Sequence, residues 1–192
     1  MKRLLLLLVA FVLLAGCGEP KPQFQATDVS GLNFSGDFHL ADHQGKPRTL
    51  ADFRGKVLVM FFGYTHCPDV CPTTLADLAA AMKKLGPDAD RVQVLFVTVD
   101  PERDTPELLS KYVPAFHPSF LGLRGSPEET ARTAKDFKIL YQKQSGQTPE
   151  SYTVDHSAGS FIFDTQGRLR LYVSYGQGAD VFAHDIGLLL RG

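Results

Sequence analysis

The sequence of 192 residues contains no tryptophan, only three cysteines and only three methionines. Three cysteines cannot build a wider disulfide framework, and three methionines, one of them the initiator, exclude a methionine-rich metal-binding arm. Lysine and arginine do not occur in runs and the net charge is −1, so no basic face for nucleic acid is indicated. The apolar runs are shorter than the roughly 18 residues that a membrane-spanning helix needs. The few cysteines are therefore the most informative residues of the chain.

The N-terminus has the pattern of an exported protein. Two basic residues precede an apolar run from Leu4 to Ala15, which is typical of a secretory signal. The run ends in Leu14-Ala15-Gly16-Cys17, which resembles the bacterial lipoprotein box. We expect residues 1–16 to be a lipoprotein signal peptide and Cys17 to be the lipid attachment site on a membrane facing the periplasm or the cell exterior. An ordinary cleaved signal is the alternative.

The part after the signal divides into a tether and one domain. Residues 17–33 contain glycines and prolines and few large apolar side chains, which is typical of a flexible linker. Residues 34–192 are enough for one domain with a sizeable core. Apolar residues alternate over 38–40 and recur over 50–53, with a turn between them. This pattern predicts a small N-terminal hairpin beside the main sheet.

Two cysteines lie between a predicted strand and a predicted helix. The apolar run 57–62 predicts a buried strand, and apolar residues at helical spacing follow Pro72. Cys67 and Cys71 are four positions apart and each precedes a proline. Proline suits the first turn of a helix, so we expect Cys71 at a helix N-terminus, where the macrodipole stabilises a thiolate. Such a dithiol can bind a soft metal ion or close into a disulfide.

A second buried strand places an acidic residue near these cysteines. Residues 92–99 are nearly all apolar and rich in β-branched side chains, as in a strand covered on both faces. Two such strands joined by a helix make a right-handed parallel unit. Functional sites lie beyond the carboxyl ends of such strands, where Cys67 and Asp100 both fall. Asp100 is a candidate to support the metal-binding or redox-active residues without being one of them. The alternative is that Asp100 only forms a turn or a helix cap.

The remaining elements follow in an order typical of the thioredoxin-like class. Capping signals and apolar spacing predict two helices, an antiparallel hairpin and a last helix, over residues 105–116, 126–141, 161–173 and 180–189. Asp104 and Thr105 are interpreted as the cap of the first of these helices. The sequence therefore predicts an α/β domain of thioredoxin-like fold, with a central mixed sheet flanked by helices and an N-terminal hairpin.

Three segments, in order, carry a resemblance to a known family. They are Cys67-Pro-Asp-Val-Cys71-Pro, Val99-Asp100-Pro-Glu-Arg-Asp-Thr-Pro-Glu107 and Val154-Asp155-His156-Ser157. Over residues 30–190 the chain resembles the Sco/SenC family of copper proteins. The resemblance implies that Cys67, Cys71 and His156 bind one copper ion, as Cu(I), with Cu(II) left open. It also implies a role in assembling the binuclear copper centre of cytochrome c oxidase. Asp155 joins Asp100 as a candidate to support the ligands.

The residue types agree with this implication but do not prove it. Two thiolates and an imidazole suit Cu(I), although zinc accepts the same set with an added water. His66 is adjacent to Cys67, but neighbouring side chains on extended backbone point to opposite faces, so we favour His156. The other four histidines have no cysteine near them in sequence and are interpreted as surface or packing residues: His39, His43, His117 and His184.

Two main functions remain open. The first is a copper metallochaperone whose partner is the copper-bearing subunit of cytochrome c oxidase. The second is a thiol-disulfide oxidoreductase that keeps the cysteines of that oxidase site reduced, together with other copper chaperones or thiol reductants. A disulfide between Cys67 and Cys71 would close a short loop and contribute only about 2 kcal/mol, which suits a reversible bond. A peroxidase of the same fold is a third hypothesis, but it gives His156 no role as a ligand.

Overall fold

The computed structural model describes residues 22–192 except 33, 35, 147, 149 and 150. The predicted signal peptide, Cys17 and the first part of the predicted tether lie outside the described residues. The strands in the described part are β1 (Thr27–Asp28), β2 (Leu40–Asp42), β3 (Pro47–Arg48), β4 (Val57–Gly63), β5 (Val92–Thr98), β6 (Leu121–Arg124), β7 (Tyr141–Gln144), β8 (Thr153–His156), β9 (Ser160–Phe163) and β10 (Leu169–Val173). The α-helices there are α1 (Val70–Leu85), α2 (Pro106–Tyr112), α3 (Pro127–Asp136) and α4 (Gly178–Arg191). Two 3₁₀ helices span Leu50–Phe53 and Gly86–Arg91.

Eight strands form one mixed sheet in the order β1-β10-β9-β4-β5-β6-β2-β3. β4 runs parallel to β5, and β5 runs parallel to β6, while β9 is antiparallel to β4. Every residue of β4 and β5 is buried, as their continuous apolar runs predict for strands covered on both faces. The predicted α/β class with a central mixed sheet and flanking helices is confirmed.

The N-terminal hairpin is present, but its predicted second strand was wrong. β2 pairs with β3, and Leu50–Phe53 form a 3₁₀ helix. The Asp52 carboxylate accepts hydrogen bonds from the backbone N–H and the hydroxyl of Thr49 (2.7 and 3.0 Å), and such local bonds compete with strand pairing. The hairpin is also not separate from the sheet, because β2 pairs with β6 and makes the hairpin the sheet edge.

Two helices end earlier than predicted. α2 ends at Tyr112 and α3 ends at Asp136. Lys138 has a φ of 57°, in the left-handed region that ends helices. Tyr141, which was predicted on the same helix face, instead begins β7 and pairs with His156. The prediction failed because Tyr141 has helical spacing from Phe137 by chance, although the two residues lie on opposite sides of this turn.

The folded part begins before residue 34, the predicted boundary. β1 pairs antiparallel with β10 at the sheet edge. The Asp185 carboxylate on α4 is fully buried and accepts the backbone N–H groups of Gln25 (2.9 Å) and Ala26 (2.8 Å). A buried carboxylate needs such donors, so residues 25–28 are bound to the domain rather than free. No local pattern in the sequence indicates this contact, because its partners are about 160 residues apart.

Candidate metal centre

The two cysteines lie on the turn between β4 and α1. β4 ends at Gly63, and the backbone N–H of Cys67 donates to the carbonyl of Tyr64 (3.3 Å). Cys67 is half-buried, whereas Cys71, the second residue of α1, is fully buried. The Cys71 backbone N–H donates to the Cys67 sulfur (3.4 Å). The turn therefore presents one sulfur towards solvent and holds the other against the core.

His156 approaches this turn from the end of β8. Its Nε2 lies 3.4 Å from the Cys71 sulfur, and its Nδ1 lies 3.0 Å from the carbonyl oxygen of Ser157. A carbonyl only accepts, so Nδ1 carries the proton and the lone pair of Nε2 faces the sulfur. The rings of Phe61 and Tyr64 meet the imidazole edge to face, with centroids 6.1 and 6.0 Å away. The histidine is thus held in the tautomer and orientation that a metal ligand needs.

Together the three side chains form a potential metal site. The two sulfurs and a ring nitrogen of His156 all lie within 4.8 Å of one another. Donor atoms that share one ion at about 2.0–2.3 Å are at most about 4.6 Å apart, so only a small inward movement is needed. Within the described part of the chain, no other histidine, cysteine or carboxylate joins this cluster. Two soft sulfurs and one imidazole fit a soft ion.

Local electrostatics make Cys67, rather than Cys71, the thiol with the lowered pKa. The pKa of the Cys67 thiol is lowered to about 5, first because the Cys71 thiol donates to its sulfur, and further because backbone N–H groups of Asp69 and Cys71 point at it. The pKa of Cys71 is raised, because this thiol is the donor in that bond and because it is buried. The prediction that Cys71 is the stabilised thiolate was therefore wrong. Burial and donation to Cys67 outweigh its position at the helix N-terminus.

Comparison with known proteins agrees with this geometry. The family model described as SCO1/SenC matches residues 26–191. The chain belongs to the SCO1/SenC family. It is 40% identical over 153 residues to the mitochondrial protein SCO2 homolog of Mus musculus, and the match covers 79% of this chain and 60% of that relative. The chain thus spans about three fifths of the length of this relative.

Two solved structures of SCO1/SenC proteins cover nearly the whole folded part. Apo Sco1 from Thermus thermophilus is 46% identical with a TM-score of 0.78, covering 90% of this chain and 100% of that one. Bradyrhizobium japonicum ScoI, solved with copper bound, is 37% identical with a TM-score of 0.75, covering 82% of this chain and 99% of that one. The predicted family and the thioredoxin-like fold are confirmed. Across the described residues of this SCO1/SenC chain, none of the helices has the length and apolar character that crossing a bilayer requires.

The other candidate residues are not members of the cluster of donor atoms in this SCO1/SenC chain. His66 has its Nδ1 3.0 Å from the Thr65 hydroxyl oxygen, and it is half-exposed outside the cluster. The carboxylate of Asp155 accepts from the side-chain amide of Gln144 (2.8 Å) on β7. Asp100 is fully buried and binds Arg103 and Tyr152 rather than a cysteine. Any support that Asp100 gives to the ligands is therefore indirect.

Asp104 holds the cysteine turn, a role that the sequence interpretation missed. Its fully buried carboxylate accepts from the hydroxyl of Thr65 (2.6 Å), the backbone N–H of Thr65 (3.1 Å) and the hydroxyl of Thr98 (2.6 Å). Burial raises the pKa of Asp104. The helix cap is made by Thr105 alone, whose hydroxyl accepts the Leu108 N–H (3.2 Å). The sequence signal for this role was a second carboxylate four residues after Asp100. It was missed because helix capping offered a simpler interpretation of Asp104.

Gly63 leaves the space that the Cys71 sulfur occupies. A Cβ at this position would lie 2.8 Å from the Cys71 sulfur and 2.9 Å from the ring of Phe96. We expect Gly63→Ala to reduce the free energy of unfolding by about 1–3 kcal/mol, because neither neighbour has room to move in the buried core. Denaturant unfolding of the metal-free protein measures the change.

Gly31→Ala is the matched control for this substitution. A Cβ at Gly31 would meet nothing within 4 Å, so its expected effect is within about 0.5 kcal/mol. Equal unfolding midpoints for Gly63→Ala and Gly31→Ala would show that the space around the Cys71 sulfur is not tight.

Proposed function

We propose that this protein is an exported copper metallochaperone that binds one Cu(I) through Cys67, Cys71 and His156. Its cargo goes to the binuclear copper site on the copper-bearing subunit of cytochrome c oxidase. The observation that carries the proposal is the cluster of two sulfurs and one correctly oriented imidazole nitrogen within 4.8 Å. Membership of the SCO1/SenC family and the copper bound to the ScoI relative support it.

Copper is favoured over zinc by the number of donors. With these three protein donors zinc would need a water as its fourth ligand, whereas Cu(I) accepts the two sulfurs and the imidazole without one. Among the described residues only Cys67, Cys71 and His156 come together. Around them lie the aromatic rings of Phe61 and Tyr64, which offer no strong ligand. A set of two sulfurs and one imidazole beside these rings therefore suits Cu(I) better than Zn²⁺.

Transfer of the cargo requires access from outside, and the site is open on one side. Cys67 and His156 line a groove of about 490 Å³ together with Tyr64, Val70 and Val154. Cys71 is buried behind them. Incoming thiolate or imidazole ligands of the oxidase subunit could thus replace Cys67 and His156 first and Cys71 last. Stepwise replacement of this kind keeps the ion coordinated throughout.

The predicted lipid anchor is compatible with this arrangement. Pro22, the first described residue, lines one cavity together with the turn between β9 and β10 and with Gly192 after α4. That turn is next to Leu58 at the start of β4, because Phe163 pairs with Leu58, whereas the cysteines follow the other end of β4. We propose that Cys17 is acylated and that the metal centre faces away from the membrane surface.

Metal analysis of anaerobically purified protein tests the proposed function. We expect about one copper per chain and no stoichiometric zinc in the wild type, and a large loss of copper in His156→Ala. One zinc per chain, or equal copper in the two proteins, would contradict a three-ligand copper site. Both metals are supplied during purification, and the comparison of wild type with His156→Ala is the decisive one, because copper out-competes zinc at most sites.

The thiol-disulfide oxidoreductase remains the second candidate, because of one observation. The half-buried Cys67 has a pKa lowered to about 5, while Cys71 is buried behind it with a raised pKa. This division is that of an attacking thiol and a resolving thiol. Other thiol reductants or copper chaperones would then be its partners.

Alkylation of the reduced, metal-free protein separates the two thiols. We expect iodoacetamide at pH 6.5 to modify Cys67 at least about 10-fold faster than Cys71, because only Cys67 is a thiolate there and only its sulfur reaches solvent. Because the pKa of Cys67 is lowered, this thiol stays reactive down to about pH 5 and loses its reactivity below that pH. Peptide mass spectrometry measures both sites. Faster modification of Cys71 would show that the helix N-terminus controls reactivity after all.

A further inference from the structure

His156 belongs to a hairpin that is not part of the main sheet. Among the described strands, β7 and β8 form a separate two-stranded sheet. An isolated two-stranded hairpin is at best marginally stable. The cysteines, in contrast, are held between β4 and α1 of the main fold. The position of the third donor therefore depends on contacts between the hairpin and the rest of the domain.

Tyr152 makes a contact of this kind that reaches a buried group. It directly precedes β8 and lies four positions before His156. Its hydroxyl donates to the carboxylate of Asp100 (2.7 Å), which is fully buried just after β5. Burial and this hydrogen bond raise the pKa of Tyr152 to about 12, so the hydroxyl remains a donor at neutral pH. A hydrogen bond to a buried charge is among the stronger ones.

Arg103 holds the other side of the same tyrosine. Its Nε donates to the Asp100 carboxylate (2.5 Å), and its Nη1 donates to the backbone carbonyl of Tyr152 (2.9 Å). The guanidinium carbon lies 3.5 Å from the centroid of the Tyr152 ring. The planar fork of arginine makes all three contacts at once, which lysine cannot do. Asp100, Arg103 and Tyr152 together form what we call the Tyr152 latch.

We propose that the Tyr152 latch positions His156 and controls how readily the hairpin releases copper. The proposal rests on the proposed function, since His156 must be a ligand for its position to matter. None of the three latch residues touches a donor atom in the structure, so they act through the hairpin. Four residues after Asp100, Asp104 holds the cysteine turn through Thr65. The loop from Asp100 to Asp104 thus connects both halves of the metal centre.

Two conservative substitutions test the latch without leaving a buried charge unpaired. Tyr152→Phe keeps the ring and removes the hydroxyl. Arg103→Lys keeps a positive charge beside Asp100 and removes the bond to the Tyr152 carbonyl. Glu102→Gln is the control, because it removes the charge attraction of the exposed ion pair with Lys143 (2.6 Å), which joins the same loop to the same hairpin, and keeps the three latch residues.

Two measurements on the full-length protein follow the effect. The first is hydrogen exchange of the metal-free protein. We expect the amides of β7 and β8 to exchange about 10-fold faster in both latch variants, with β4 and β5 unchanged. The second is the rate at which a chelator removes Cu(I). We expect release to be about 10-fold faster in both variants, as for residues that orient metal-binding histidines, and within about twofold of wild type in Glu102→Gln.

The outcomes separate the latch from the proposed function. Unchanged exchange of the hairpin in Tyr152→Phe, or faster exchange of β4 and β5 as well, would overturn the latch. Faster hairpin exchange with unchanged copper release would overturn its role in positioning the ligand. A wild-type protein that binds no copper would overturn the proposed function and, with it, the role of the latch in copper release. Hydrogen exchange of the metal-free protein would still decide whether the latch holds the hairpin.

Discussion

Cells that carry His156→Ala are expected to lose most of their cytochrome c oxidase activity when copper is limiting. The reason is that a metallochaperone needs the third donor to hold Cu(I), and the variant keeps only Cys67 and Cys71. A thiol-disulfide oxidoreductase does not need it, because both the attacking and the resolving thiol remain. The two candidate functions therefore predict opposite results for one substitution.

The measurement is oxidase activity in cells in which this chain is the only protein of its kind. The abundance of the variant is matched to wild type, and its dithiol is confirmed to be reducible. His66→Ala is the matched control, because His66 is also next to the cysteine turn but lies outside the donor cluster. Near-normal oxidase activity of His156→Ala under copper limitation would favour thiol chemistry over copper delivery.

The second large effect is expected in the Cu(I) affinity of the isolated protein. Removal of residues that only orient a metal ligand typically costs about 10–100-fold in affinity. Each of Cys67→Ala, Cys71→Ala and His156→Ala removes a donor itself, so we expect losses above about 100-fold. No other histidine, cysteine or carboxylate in the described part of the chain is placed to replace the lost donor. Competition with a chromophoric Cu(I) chelator under anaerobic conditions gives the affinities.

His66→Ala again provides the comparison, and we expect its affinity to stay within about threefold of wild type. Its ring is half-exposed, lies 3.0 Å from the Thr65 hydroxyl and 3.9 Å from the Asp104 carboxylate, and is not a member of the donor cluster. A large loss in His66→Ala together with wild-type affinity in His156→Ala would show that His66 is the ligand. Equal, moderate losses in all four variants would indicate general destabilisation of the turn.

The structure also changes how the segment Asp100-Pro-Glu-Arg-Asp104 is understood. Its two carboxylates are fully buried and serve different halves of the centre. Asp104 binds the cysteine turn through Thr65, and Asp100 binds the histidine hairpin through Tyr152. Buried carboxylates persist only where such donors compensate their lost hydration. The segment is therefore better described as a support for the site than as a helix cap.

The sequence by itself determined the elements whose signals are local. Continuous apolar runs predicted β4 and β5, and the prolines after Cys67 and Cys71 predicted a turn followed by a helix. These signals succeed because buried strands and helix starts are decided by neighbouring residues. Local signals failed where a short-range hydrogen bond or a left-handed residue intervened, as at Asp52 and Lys138.

Only the tertiary structure decided the chemistry of the site. Cys71 and His156 are 85 residues apart, and their approach to 3.4 Å follows from the packing of a separate hairpin against the cysteine turn. The hydrogen bond that the Cys71 thiol donates to the Cys67 sulfur, together with the burial of Cys71, makes Cys67 rather than Cys71 the thiol with the lowered pKa. The roles of Asp100 and Asp104 likewise depend on partners distant in sequence. Pairwise contacts of this kind leave no periodic pattern in the chain, so only the folded structure reveals them.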